Sequence, residues 1–211
     1  MNLNNSLEAI SILPSNGEKP THLLLALHGW GANAQDLAPL AQMFNLPGFA
    51  FIFPNAPFAH PQVPGGKAWY SLETQDYSGL SESRELLFDW LQSLESLTGV
   101  PLNRTFMTGF SQGGAMTLDV GLTLPLAGLC SLSGYLHYYP EPDKLANNQF
   151  PPVLIVHGKQ DLVVPLPAAQ QAKEELTALG VTVKYQEFDM GHEIQPEVLT
   201  LMEEFIQDNH N

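Results

Sequence analysis

"TFMTGFSQGGAMTLDVGL", residues 105–122, changes character in its middle. The first four residues read as a strand, and the stretch from Ser111 onward reads as a helix. Gly109-Phe110-Ser111-Gln112-Gly113 sits at the junction. A serine on so tight a strand-to-helix turn is forced into a strained backbone conformation. Neighbouring side chains would clash there, so glycine is needed two positions before it and two after. The turn lifts the hydroxyl above the strand ends and sets it at a helix N-terminus, where free N–H groups favour developing negative charge. A glycine-rich turn with an incidental serine is the competing reading. The placement between a strand and a helix favours a nucleophile.

Outward from this turn, short strand-like runs recur at 23–27, 49–53, 128–132, 153–156 and 181–188. Several are apolar without alternation, as in a parallel sheet covered on both faces. Helical patterns lie between them. Residues 83–97 put Leu86, Leu87, Trp90, Leu91, Leu94 and Leu97 on one stripe, and Gly99 then Pro101 end it. Residues 168–179 end at Gly180, and 196–206 open on Pro196, whose missing N–H costs little in a first turn. Such alternation predicts an α/β fold, a mostly parallel sheet flanked by helices with right-handed crossovers. The 211 residues suit one domain spanning 1–211 with its core over about 22–206. Two connections are long, 54–77 and 134–150. Loops of this length are often functional. Neither is long enough for a helical lid domain, which predicts an open, shallow site.

A serine hydroxyl needs a base. Of seven histidines, His192 follows the strand at 181–188 and precedes the last helix, where an α/β sheet places site residues. His28 and His157 each end a strand before a glycine and suit turn hydrogen bonds. His60 and His137 lie in the two long loops. The base in turn needs an acid to fix its tautomer. Asp161 lies just beyond the strand at 153–156, giving the chain order Ser111, Asp161, His192. Glu141, Asp143, Glu187 and Asp189 compete, and Asp189 is too close to His192 in sequence to support the ring from behind. One oxyanion donor is expected at the N–H of Gln112, and a second in the glycine-bearing loop of LLLALHGWGANAQDL.

Net charge sets limits. At −14 the chain repels nucleic-acid backbones and anionic membranes at long range. No apolar run approaches the roughly 18 residues of a membrane span, and the N-terminal sequence has no secretory pattern. The single cysteine, Cys130, excludes an intrachain disulfide and a cysteine-based metal site. A cytoplasmic protein without metal or organic cofactor is expected, with a homodimer left open.

In chain order, LALHGWG, PNAP, GGKAWY, GFSQGGAM, LSGYL, VHGKQDLVVP and GHEI resemble the motif set of the carboxylesterase/phospholipase family of α/β hydrolases, which includes the acyl-protein thioesterases. The resemblance runs from about residue 22 to 206. It implies a small α/β-hydrolase core, Ser111, Asp161 and His192 as the triad, and the backbone N–H groups of Trp30 and Gln112 as the oxyanion hole. Two departures stand out. Trp69-Tyr70 is followed by Ser71 where members often carry an acid, and the segment 73–83 is short beside the thioesterases. The expected activity is a serine esterase acting on small-molecule esters or thioesters of short or medium acyl chain. An acyl-protein thioesterase or lysophospholipase is the alternative enzyme. A non-catalytic binding protein on a hydrolase scaffold is the alternative from another class. Trp69, Tyr70 and His137 are the candidate substrate-binding residues, with Trp30, Tyr135, Tyr138 and Tyr139 as further candidate walls.

Overall fold

The structure, a computed structural model, describes residues 7–14, 16–74, 76–137 and 150–210. In chain order it opens with β1 (Ala9–Ile12), β2 (His22–Leu27), the one-turn helix α1 (Ala34–Leu37) and β3 (Phe49–Pro54). A two-residue pair, β4 (Phe58–Ala59) and β5 (Lys67–Ala68), lies inside the first long connection. Next come α2 (Leu80–Thr98), β6 (Thr105–Phe110), α3 (Gln112–Gly121) and β7 (Gly128–Leu132). The chain closes with β8 (Val153–Gly158), α4 (Leu166–Ala178), β9 (Val183–Phe188) and α5 (Pro196–Asn209).

Seven strands form one sheet in the order β1-β3-β2-β6-β7-β8-β9. Only β1 runs antiparallel, pairing Ile10 with Phe53. The parallel strands explain the unalternating runs, because both faces are buried. Leu25, Leu27, Met107, Leu129 and Ile155 pack with Leu87, Leu91, Met116 and Leu176 on one face. Leu24, Phe51, Phe53 and Phe106 pack with Ile206 on the other, next to a cluster of Leu132, Leu154, Val156, Met202 and Phe205. Each such side chain removed from water stabilises the fold by about 1.5–3 kcal/mol.

Element boundaries differ from the sequence reading for local reasons. Helix α2 starts at Leu80 rather than 83, because Gly79 at φ 91° turns the chain straight into it. Leu87, Trp90, Leu91 and Leu94 are buried, but Leu97 is 70% exposed at the fraying end. Strand β9 starts at Val183 and mixes half-buried with exposed residues, as befits the last strand of the sheet. Among the described residues no helix is long and apolar enough to cross a membrane. Parallel strands bring their C-terminal ends to one side of the sheet. The loops after β2, β6, β8 and β9, which carry Trp30, Ser111, Asp161 and His192, therefore meet there.

Candidate active site

Ser111 has φ 55° and ψ −117°, a positive-φ conformation outside the left-handed helical well, and is the N-cap of α3. Its N–H donates to Leu132 O at 2.8 Å, and its carbonyl accepts from Ala115 N–H at 3.0 Å, so the turn is tied to β7 and to the helix. The flanking glycines have no room for a side chain. A Cβ at Gly109 would stand 2.1 Å from Gly113 O, and one at Gly113 would stand 2.2 Å from Leu27 O. The sequence at the junction thus folds as it does because only glycine permits the close crossing of β6, α3 and the end of β2.

Asp161 and His192 meet beside this turn. His192 Nδ1–H donates to Asp161 Oδ2 at 2.7 Å. Asp161 Oδ1 accepts from Val163 and Val164 N–H, each at 2.9 Å, which fixes the carboxylate in its own turn after β8. Burial pushes the Asp161 carboxyl up, but the His192 hydrogen bond and the two amides together pull it further down, below the ordinary carboxylate value. The ring of His192 packs on Phe110, centroids 4.7 Å apart. With Nδ1 committed as a donor, Nε2 is left as an acceptor. Among the described residues no hydrogen bond joins His192 to Ser111. Catalytic hydrogen bonds commonly tighten only around bound substrate.

The competing acids lie elsewhere. Asp189 pairs with Lys159 at 3.0 Å in an exposed ion pair. Glu187 accepts from Gln170 and Tyr185. Glu141 and Asp143, like Tyr138 and Tyr139, lie outside the described residues. His157 is buried, donating from Nε2 to Val164 O at 2.8 Å and standing 3.5 Å from Asp161 Oδ2. It props the turn that carries Asp161.

The loop after β2 lies against the serine. A Cβ at Gly29 would come within 3.4 Å of both Ser111 Cβ and Phe110 O. Trp30 follows, and among the described residues neither its N–H nor that of Gln112 is committed to a partner. His60, from the first long loop, packs edge-on against Trp30 with centroids 4.5 Å apart.

Trp69, Tyr70 and His137 are placed behind the site rather than on its wall. Trp69 and Tyr70 are 0% exposed. The His137 ring is likewise fully buried, 3.2 Å from Asp119 Oδ2 and packed against the rings of Tyr70, Tyr77 and Tyr135. The connection 54–77 folds back over the start of α3, and that turns aromatic loop residues into core. What the sequence reading did not single out is a set of exposed apolar residues near the candidate site. Leu162 and Val163, next to Asp161, are 95% and 68% exposed, and Val63 lies 3.6 Å from where a Gly31 side chain would begin. Leu162 and Val163 had their only signal in the apolar run of DLVVP, and Val63 lay between prolines in PQVPGG. Among the described residues no cluster of three histidine, cysteine or acidic side chains is arranged to hold a metal ion.

A sheet of this order, with a serine on the turn after a middle strand and a paired acid and histidine in later loops, is the α/β-hydrolase architecture. The relationship extends to the sequence. The family model described as Phospholipase/Carboxylesterase matches residues 8–210, and the chain belongs to that family. An acyl-protein thioesterase 1 of Mycosarcoma maydis is 31% identical, with 95% of this chain and 96% of that protein covered. A probable carboxylesterase of Oryza sativa subsp. japonica is 30% identical over 89% of this chain and 77% of its own length. Among solved structures, the crystal structure of esterase PE8 superposes with a TM-score of 0.87 at 30% identity, covering 97% of this chain and 99% of that one.

Proposed function

We propose that this protein is a serine esterase cleaving carboxylic esters of short or medium acyl chain. The observation that carries the reading is the 2.7 Å bond from His192 Nδ1–H to Asp161, made beside a serine held at positive φ on a helix N-terminus. Ser111 Oγ attacks the ester carbonyl while His192 Nε2 takes its proton. Asp161 holds the ring in that tautomer and stabilises the imidazolium. The oxyanion is received by the N–H groups of Trp30 and Gln112. Collapse of the tetrahedral intermediate breaks the bond to the alcohol, which leaves with the proton from His192. Water, activated by the same nitrogen, then releases the acid and restores Ser111.

The exposed apolar residues near the site limit the length of acyl chain. Each buried methylene contributes about 0.8 kcal/mol, but only where a wall covers it. Leu162 and Val163 stand largely in solvent and Val63 is partly exposed, so they support a few methylenes and enclose no long chain. The acyl-protein thioesterase relatives favour a second reading, a thioesterase for longer chains. A cytoplasmic setting fits the single, buried Cys130, whose thiol burial pushes well above its ordinary range.

The test is a fluorophosphonate, which labels an activated serine. An adduct on the Ser111 peptide that disappears in Ser111→Ala is expected, and its absence from the wild type overturns the esterase reading. With p-nitrophenyl esters, kcat/KM is expected to peak at short or medium length. A steady rise through palmitoyl substrates below their micelle concentration decides for the thioesterase.

A further inference from the structure

We propose that His28 and Trp69 form a buried hydrogen-bonded frame that aligns both N–H donors of the oxyanion hole, making them positioning residues for the reaction. The inference rests on the serine-esterase reading above and deepens it.

The first donor, Trp30 N–H, shares one planar trans peptide with Gly29 C=O, so fixing that oxygen fixes the direction of the N–H. His28 does this. Ala56 N–H donates to His28 Nε2 at 3.0 Å, so that nitrogen carries no proton. The ring proton is therefore on Nδ1, which donates to Gly29 O at 2.8 Å. The ring is completely buried, and burial lowers its proton affinity, which keeps it in this neutral tautomer. The peptides on either side are tied as well. Trp69 Nε1–H donates to His28 O at 3.0 Å, and Gly31 N–H donates to Lys67 O at 2.9 Å. Gly29 O accepts a second, longer bond from Ala32 N–H at 3.3 Å, so three consecutive peptides are held, with the Trp30 amide left for a ligand.

The second donor, Gln112 N–H, is held through its own side chain. Gln112 Oε1 accepts from Trp69 N–H at 2.9 Å, and Gln112 Nε2 donates to Tyr70 O at 2.8 Å. The Gln112 side chain is completely buried. Trp69 thus touches both halves of the hole, through its indole on the side of Trp30 and through its backbone on the side of Gln112. Ser83 Oγ donates to Trp69 O and fastens the frame to α2. A buried indole needs only some acceptor for its N–H. Here the acceptor is His28 O, the carbonyl of the peptide just before the one that carries the Trp30 donor. Donors that are placed before substrate arrives cost no reorganisation when charge develops, which is where such groups contribute most.

The substitutions separate alignment from packing. His28→Asn puts an amide N–H where Nδ1 stands and loses the acceptor for Ala56. His28→Gln reaches the position of Nε2 and loses the bond to Gly29 O. Removing an oxyanion donor outright costs about 10²–10³ in kcat, so misaligning one in His28→Gln is expected to cost at least about tenfold, with KM within about threefold. His28→Asn is expected to retain at least about five times the kcat of His28→Gln, because it keeps the short bond to the Gly29 oxygen, whereas His28→Gln leaves only the longer one from Ala32 N–H at 3.3 Å. Trp69→Phe, which deletes the indole N–H and keeps an aromatic ring, is expected to lower kcat by about five- to fiftyfold on the same reasoning. Affinity for a trifluoromethyl ketone, which mimics the oxyanion, should fall in proportion to kcat/KM across the series. A role in packing alone would lower the unfolding midpoint without that proportionality. Equal kcat for the Asn and Gln variants, or kcat within threefold of the wild type in His28→Gln, overturns the frame. Should circular dichroism show a His28 variant unfolded, Trp69→Phe decides, and an unchanged kcat there overturns it. Labelling of Ser111 in the wild type reports on the underlying reading separately. Without an adduct both fall, whereas an adduct alongside unaffected variants removes the frame alone.

Discussion

Ser111 stands in a backbone region that glycine enters freely and other residues enter at a cost of about 1–3 kcal/mol. Ser111→Gly is therefore expected to raise the unfolding free energy by about 1 kcal/mol while abolishing turnover. Ser111→Ala is expected to abolish turnover with no such gain, so chemical denaturation of the pair isolates the strain from the chemistry. A second prediction concerns the acid. Asparagine at the acid of a serine protease costs about 10⁴ in kcat by stabilising the wrong tautomer, and Asp161→Asn is expected to cost at least about a hundredfold. Asp189→Asn, which removes only a surface partner of Lys159, should stay within about tenfold of the parent. If steady-state rates rank the two the other way, with both folded, the acid is misassigned. The same carboxylate gives a pH dependence. Its folded value lies below the ordinary 3.8, so below that point the unfolded chain binds the proton more readily than the folded one. The stabilisation is fully present above that value and is lost as pH falls through the folded value. Denaturant melts below about pH 4 should show the wild type losing stability faster than Asp161→Asn.

At the scale of elements, the crossing of β6, α3 and β2 depends on Gly113. Its Cβ position lies 2.2 Å from a backbone oxygen that no side-chain rotation relieves. Gly113→Ala is expected to destabilise the fold by about 3 kcal/mol or to prevent folding. Gly99→Ala, at the end of α2 with open space around it and φ 76°, should cost only about 1 kcal/mol. Thermal melts of the two distinguish crowding from dihedral strain. The most legible strands are those whose burial is complete. Strands β2, β3, β6, β7 and β8 are near-continuous apolar runs because helices cover both their faces, and Gly109-Phe110-Ser111-Gln112-Gly113 announces its own turn. Strand β1 was not legible, since its four residues AISI are only partly covered at the sheet edge. Nor was the placement of Trp69 and Tyr70. Aromatic residues beside prolines and glycines look like loop surface, and only the fold-back onto Gln112 and Ser83 buries them. Hydrogen bonds from side chain to distant backbone leave no periodicity to read.

For the whole molecule, sheet order decides how the candidate site is held together. Trp30 and Ser111 follow β2 and β6, adjacent strands in the middle of the sheet and buried along most of their length. Asp161 follows β8, and His192 follows β9, which among the described residues pairs with β8 alone and has no fully buried residue. Hydrogen-exchange opening is cheapest where coverage is thinnest. Edge fraying of β9 would carry His192 away from Asp161 while the centre stayed closed. Loss of activity in urea is accordingly expected at a lower midpoint than the change in fluorescence of the buried Trp69 and Trp90, which report on the core. Coincident midpoints would mean that β9 melts only with the whole sheet. On the expected behaviour, the enzyme has an inactivation threshold separate from its unfolding threshold. Mild stress would then silence it reversibly, with the sheet intact and ready to recover as soon as one strand closes.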